Sequence, residues 1–170
     1  ELEHFLLTRE EALKRDHRKL GRELELFMFS EISPGSPFWL PKGMVIIKQI
    51  ESLWREVHDK ADYLETSTPI MVSYRLFEKS GHLSHYKENM FSLKVDKQDF
   101  YLKPMNCPES TLIYSSKLRS YRDLPIRLSE LGRLHRNELS GVLGGLFRVR
   151  HFTQDDAHIY CTREQIGQEV

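Results

Sequence analysis

Apolar residues recur at two different spacings along the chain, and each spacing predicts an element. TREE at residues 8–11 has the form of a capping box. Leu13, Leu20, Leu24 and Phe27 follow it at roughly helical intervals, which predicts one helix running from the box through Phe27. Gly21 interrupts that helix at a cost of about 1 kcal/mol relative to alanine. Residues 31–43, EISPGSPFWLPKG, hold three prolines and two glycines and read as loop. Ile46, Ile47, Ile50, Leu53, Trp54 and Val57 form one stripe of a second helix. YLETSTPIM alternates as a strand does, with Pro69 near its end, and MFSLKVDKQDFYLKPM reads as a hairpin turning between Asp96 and Asp99. A further helix after Pro108 carries Leu112, Ile113 and Leu118. IRLSELGRLHRNE and LFRVRHFTQDDAHIY are two long strands around the glycine-rich LSGVLGG. Helices come first and hairpins follow, so the expected class is α+β, an antiparallel β-sheet flanked by helices.

The 170 residues are enough for one domain with a sizeable core. Lys+Arg and Asp+Glu both number 25, so charge balance gives no sign of bulk nucleic-acid affinity. Cys107 and Cys161 make no disulfide framework and fit a reducing compartment. The opening ELEHFLLTREE is too acidic for a targeting peptide, and no apolar run approaches the ~18 residues of a membrane span. The expected location is cytoplasmic. TREQ at residues 162–165 is another helix-start signal five residues before Val170, and a helix begun there reads as part of something longer.

The second long strand raises the question of chemistry. Counting every second residue from Arg148 gives Arg148, Arg150, Phe152, Gln154, Asp156 and His158, all on one face if the stretch is strand throughout. On the preceding strand, Arg136 and Glu138 share a face. Arginine forks suit phosphate oxygens, a carboxylate accepts from an exocyclic amine, and an aromatic ring stacks on a base, so this set suits a nucleoside triphosphate. A solvated sheet face with cross-strand salt bridges accounts for the same residues equally well. Cys107 and His158 are ligand types that zinc prefers, but their spacing carries no metal signature, and Cys161 and the other histidines are equally available. His82 and His85, in SGHLSHYKENMF, read as loop residues.

RDHRKLG, SPGSPFWLPKG, SGHLSHYKENMF, KPMNCP, SYRDLPIRLSELG, HRNELSG and FRVRHFTQDDAHIYCT, in this order, resemble the catalytic domain of the threonyl-tRNA synthetase family, a class II aminoacyl-tRNA synthetase family. The likeness runs from about Arg15 to the C-terminus. It implies a partial class II catalytic domain over residues 1–170, with motifs 1 and 2 present and motif 3 beyond the chain. HRNE and FRVRHF look like motif 2. By that resemblance Arg136 contacts the ATP α-phosphate and the amino-acid carboxylate and is catalytic. Glu138 reads the adenine amine, Arg148 holds the outer phosphates, and Phe152 stacks on adenine, with Mg²⁺ accompanying ATP. Gln154, Asp156 and Met105 belong to the amino-acid pocket. Zinc is held by Cys107 and His158, with a third histidine outside this chain. His82 matches a family histidine placed near the transfer step.

The resemblance further implies the two-step reaction of the complete enzyme, threonine activation by ATP to threonyl-adenylate and then transfer to tRNA(Thr). A homodimer forms through the motif 1 region, HDKADYLETSTPI, although the motif usually has a glycine near Ala61. Many family members carry Gly-His where this chain has Glu109 and Ser110. Lacking motif 3, this length of chain is expected to bind ATP weakly and zinc poorly. Two other readings compete: a non-catalytic synthetase-like module that binds nucleotide or RNA, and a class II relative charging serine or proline. TQDDAH and Cys107 favour threonine.

Overall fold

The computed structural model describes residues 1–81 and 87–170. The chain divides into two compact units, a smaller one of Glu1–Ile50 with Glu138–Arg150 and a larger one of Glu51–Asn137 with His151–Val170.

In the smaller unit the first expected helix is two helices, α1 (Leu2–Lys14) and α2 (His17–Glu23). The first begins ahead of TREE, so Thr8 is interior and its hydroxyl donates to the His4 carbonyl instead of capping. The break falls at Asp16, whose carboxylate accepts the Arg18 backbone N–H at 2.8 Å and starts α2 afresh. A local side-chain bond to the backbone here outcompetes continuation of the helix. α2 closes where Glu25 takes a left-handed φ of 57° and the Leu26 N–H returns to the Gly21 carbonyl. Phe27 is therefore in a strand, β1 (Phe27–Met28), paired antiparallel with β2 (Phe38–Trp39). The stretch expected to be loop contains β2 and also the start of α3 (Pro41–Lys60), where proline's missing N–H costs nothing at a helix's first position.

Helix α3 is where the apolar stripe predicted it, but most of the stripe is not buried: Ile46, Ile50, Leu53 and Val57 are exposed, and only Trp54 is a core residue. In the larger unit the Trp54 indole N–H donates to the Asp155 carboxylate at 2.6 Å, which seats the helix's second half on the sheet. The expected strand over YLETSTPIM is broken in two, β3 (Leu64–Glu65) and β4 (Met71–Ser73), because Pro69 has no N–H for a ladder. A short helix, α4 (Tyr74–Lys79), follows. β5 (Ser92–Val95) and β6 (Gln98–Leu102) form the expected hairpin, with its turn reduced to Asp96 and Lys97, both at positive φ. The strand order β4-β6-β5 is antiparallel throughout.

The second sheet has the order β3-β7-β8, with β7 (Ile126–His135) antiparallel to β8 (His151–Tyr160) and the two residues of β3 parallel to β7. Both long strands are shorter than expected. Backbone groups beyond their ends bond elsewhere: the Asn137 N–H goes to the Asn89 carbonyl, and the Arg150 N–H goes to the Gly35 carbonyl inside the smaller unit. Helix α5 (Cys107–Ser115) starts at Cys107 and stops before Leu118, which is fully exposed. Both halves of the capping box at Thr162 and Gln165 form, ahead of a last short helix, α6 (Ile166–Glu169). Among the described residues no helix is long and apolar enough to cross a membrane.

The larger unit's apolar core gathers Phe77, Met90 and Tyr101, with Val72 and Tyr74 packed against them. Phe77→Ala is expected to lower stability by about 3–5 kcal/mol. Leu118→Ala, at an exposed position, is expected to stay within about 0.5 kcal/mol of the parent. Urea titrations of both variants followed by circular dichroism check the contrast.

Candidate functional site

The register of β7 and β8 sets Phe152 opposite Leu134, Gln154 opposite Gly132, Asp156 opposite Glu130 and His158 opposite Leu128. These eight residues share one face. On β8 that face is partly buried at every position, whereas Thr153, Asp155 and Ala157 on the other face are exposed. Of the six-residue row counted from Arg148, four members therefore stand together on the strand. Arg148 and Arg150 do not: β8 begins only at His151, and Arg148 lies in a turn bridged to Gly144 within the smaller unit.

What covers the β7–β8 face is the segment after β6. Lys103 is 1% exposed, and its ammonium donates to Glu130 Oε1 at 2.9 Å and to the Thr68 hydroxyl at 2.6 Å. Glu130 also accepts from the Thr68 backbone N–H and hydroxyl. The Lys103 main chain bonds on both sides, its N–H to the Ile70 carbonyl and its carbonyl to the His135 N–H. Three residues on, Asn106 is fully buried and its amide N–H donates to Asp156 Oδ2 at 2.8 Å. Gly132 makes that approach feasible, because a Cβ there would occupy the Asn106 amide's position. Lys103, Asn106 and Glu130 were not among the residues singled out by sequence. In the alternation of IRLSELGRLH, Glu130 falls on the face that also bears Leu128 and Leu134, and a carboxylate there is the signal that points to it.

Met105 is partly buried within this segment, and Cys107 follows at the head of α5. Although Cys107 is exposed as a residue, its thiol is pushed above its ordinary pKa, first by partial burial and then by the Asp156 carboxylate. His158 is on the same face of β8 as Asp156. A bound cation would act against that shift, and thiolate and imidazole are donor types that zinc takes. Among the described residues no three His, Cys, Asp or Glu side chains gather into a metal cluster. His82 lies outside the described residues.

Arg136 leaves the end of β7 with its guanidinium over the Phe152 ring, 4.9 Å from the centroid, while its Nε–H donates to the Pro104 carbonyl at 3.2 Å. One cationic fork and one aromatic ring are thereby held together in the larger unit. In the smaller unit Arg148 donates to Glu138 at 2.7 Å, with the carboxylate mostly covered and the guanidinium about half exposed. Each group of that pair gives the other a charge-assisted bond of the kind a nucleotide would require from it.

A family described as the tRNA synthetase class II core domain (G, H, P, S and T) matches residues 90–170. Over all 170 residues the chain is 58% identical to a threonine–tRNA ligase of Clostridium novyi, covering 27% of that relative. It shares 49% identity, with a TM-score of 0.89, with the RNA binding domain of threonyl-tRNA synthetase from Cryptosporidium parvum, covering 91% of this chain and 39% of that one. Along its full length the chain is similar to a segment of the threonyl-tRNA synthetases. A Giardia lamblia prolyl-tRNA synthetase in complex with prolyl-adenylate is similar over 94% of this chain and 33% of its own, with a TM-score of 0.82 and 20% identity, which shows the shared class II fold. The α+β class expected from the sequence is thus the fold found. The chain spans about a quarter of the length of the threonine–tRNA ligases it matches.

One buried residue near the start of α5 has a measurable consequence. Glu109 is 4% exposed with both carboxylate oxygens unpartnered, and burial pushes its pKa up to about 7. A folded pKa above the unfolded value means that the native state holds the proton longer. Stability therefore falls as pH rises from about 4.5 to about 7 and levels off above that. Glu109→Gln, which stays neutral, is expected to flatten this slope, as urea midpoints compared between pH 5 and pH 8 would register.

Proposed function

We propose that the complete protein of which this chain is a segment activates threonine with ATP and transfers it to tRNA(Thr). The observation that carries this reading is Asp156, held by buried Asn106 on the face that also bears Gln154 and His158, with the Cys107 thiol in its field. Threonine and valine are nearly isosteric, so shape alone separates them poorly. A site whose carboxylate must accept a hydroxyl hydrogen rejects valine, because valine would leave that oxygen unpaired. Asp156 is this acceptor, and Gln154 and Met105 line the same amino-acid pocket. Cys107 and His158, with a third ligand from outside the chain, would hold zinc, which would supply open positions for an amino acid with both an amine and a hydroxyl.

ATP falls to the motif 2 residues. Arg136 is the catalytic cation: it faces the α-phosphate and the amino-acid carboxylate and stabilises charge as the carboxylate attacks phosphorus and pyrophosphate leaves, with Mg²⁺ accompanying the nucleotide. Its bond to Pro104 and its stacking on Phe152 support this role by fixing the guanidinium beforehand. Phe152 stacks on adenine, Glu138 accepts from the adenine amine, and Arg148 holds the outer phosphates. His82 acts near the transfer step. The complete protein is a homodimer through motif 1, a reading supported by the exposed Leu53 and Val57 on α3 and the exposed Leu64 on β3.

The full-length protein is expected to catalyse threonine-dependent ATP–pyrophosphate exchange, with valine inactive. Arg136→Ala is expected to reduce the rate by about 10²–10³-fold, the size of a lost transition-state charge contact. Exchange that proceeds equally with valine, or that survives Arg136→Ala, would contradict the assignment.

A further inference from the structure

RDHRKLG and SPGSPFW carry none of the chemistry assigned above, yet in the smaller unit they are tied to the loop that bears Arg148. His17 Nε2 accepts the Leu146 backbone N–H at 2.9 Å. The donor is an amide, so Nε2 must present its lone pair and the ring proton sits on Nδ1. Nδ1 faces the Asp16 carboxylate at 3.9 Å, and Asp16 is itself held by the Arg18 guanidinium. The loop is shaped to receive the ring. Gly145 has a φ of 54°, and a Cβ there would collide with His17 Nε2. Phe147 packs edge-on against the imidazole, with centroids 4.6 Å apart. The same loop is fastened again at Arg150. Its N–H bonds to the Gly35 carbonyl at 2.6 Å, and its guanidinium reaches the Pro34 carbonyl, the Glu138 carbonyl and the Ser140 hydroxyl. Arg148 lies between these two fastenings, in the turn that Gly144 closes.

We infer that His17 is a positioning residue for Arg148: its imidazole, in the Nδ1–H tautomer, holds the loop at Leu146 and thereby fixes the guanidinium that meets the triphosphate. This rests on the reading that Arg148 binds ATP. His17 touches no substrate, so its removal alters ATP use through the loop alone. Glutamine can replace it, since its side-chain oxygen presents an acceptor at similar reach to Nε2, whereas alanine cannot.

The test is pyrophosphate exchange by the full-length protein, with KM measured for ATP and for threonine in wild type, His17→Ala, His17→Gln, Gly145→Ala and Arg148→Ala. His17→Ala is expected to raise the KM for ATP about tenfold, the size of one lost hydrogen bond, and to leave the KM for threonine within about twofold. Gly145→Ala is expected to act in the same direction, and His17→Gln to recover most of the loss. An unchanged KM for ATP in His17→Ala, alongside a raised one in Arg148→Ala, would overturn the inference and leave the ATP reading standing. So would a rise for both substrates together, or no recovery in His17→Gln. An Arg148→Ala variant with wild-type KM for ATP would overturn the ATP reading and the inference with it.

Discussion

A buried ammonium sets the terms for the larger unit. Lys103 is taken almost wholly out of water, and an isolated charge there would cost several kcal/mol. The cost is offset only because Glu130 meets it at 2.9 Å and Thr68 supplies both a hydroxyl and a carbonyl oxygen. Four parts of the chain are joined at that point: the end of β6, the middle of β7, the Thr-Ser-Thr stretch after β3, and the segment that runs on to α5. Neither partner tolerates loss of the other, since the survivor would be left charged and unpaired. One geometry gives the ammonium three acceptors, two on Thr68 and one on Glu130.

Everything proposed for the amino-acid pocket lies downstream of this pair. With Lys103 pinned and its carbonyl bonded to the His135 N–H, Pro104 meets the Arg136 guanidinium and Asn106 is delivered to Asp156. Cys107 then emerges at the head of α5 within the field of Asp156. The site is thus built by laying a short turn across two strands. Side chains on the strands supply chemistry, and the turn decides which of their atoms are already engaged. Gly132 is the corresponding absence on the strand side, a position emptied so that an amide can approach a carboxylate.

Periodicity read the elements that carry a clean repeat of apolar positions. Helix α3, the β5–β6 hairpin and the two long strands all follow from it, as does the shared face of Phe152, Gln154, Asp156 and His158. It failed where a single local bond decides the outcome. Asp16 splits one apparent helix into two, and nothing in the spacing of Leu13, Leu20 and Leu24 distinguishes one helix from two. Arg148 and Arg150 continue the alternation of β8 on paper, but Arg150 spends its bonds on the Pro34–Gly35 turn and the strand never reaches them. Cys107 and His158 are far apart in sequence with no spacing rule connecting them; family resemblance linked them, and residue types alone did not. The ion pair of Lys103 with Glu130 was invisible for the same reason, as a contact between segments whose register only the folded sheet defines.

Amide hydrogen exchange of Lys103→Met tests most directly whether the buried pair holds the turn on the sheet. Loss of the ammonium leaves Glu130 buried without its partner, a perturbation of about 3–5 kcal/mol centred on that segment. Exchange at His135, whose N–H is bonded to the Lys103 carbonyl, and at the Asn106 turn is predicted to accelerate at least about tenfold more than in the middle of β8 or in the β5–β6 hairpin. Unchanged protection at those amides, or a uniform rise across both sheets, would contradict the dependence of the site on this one interaction.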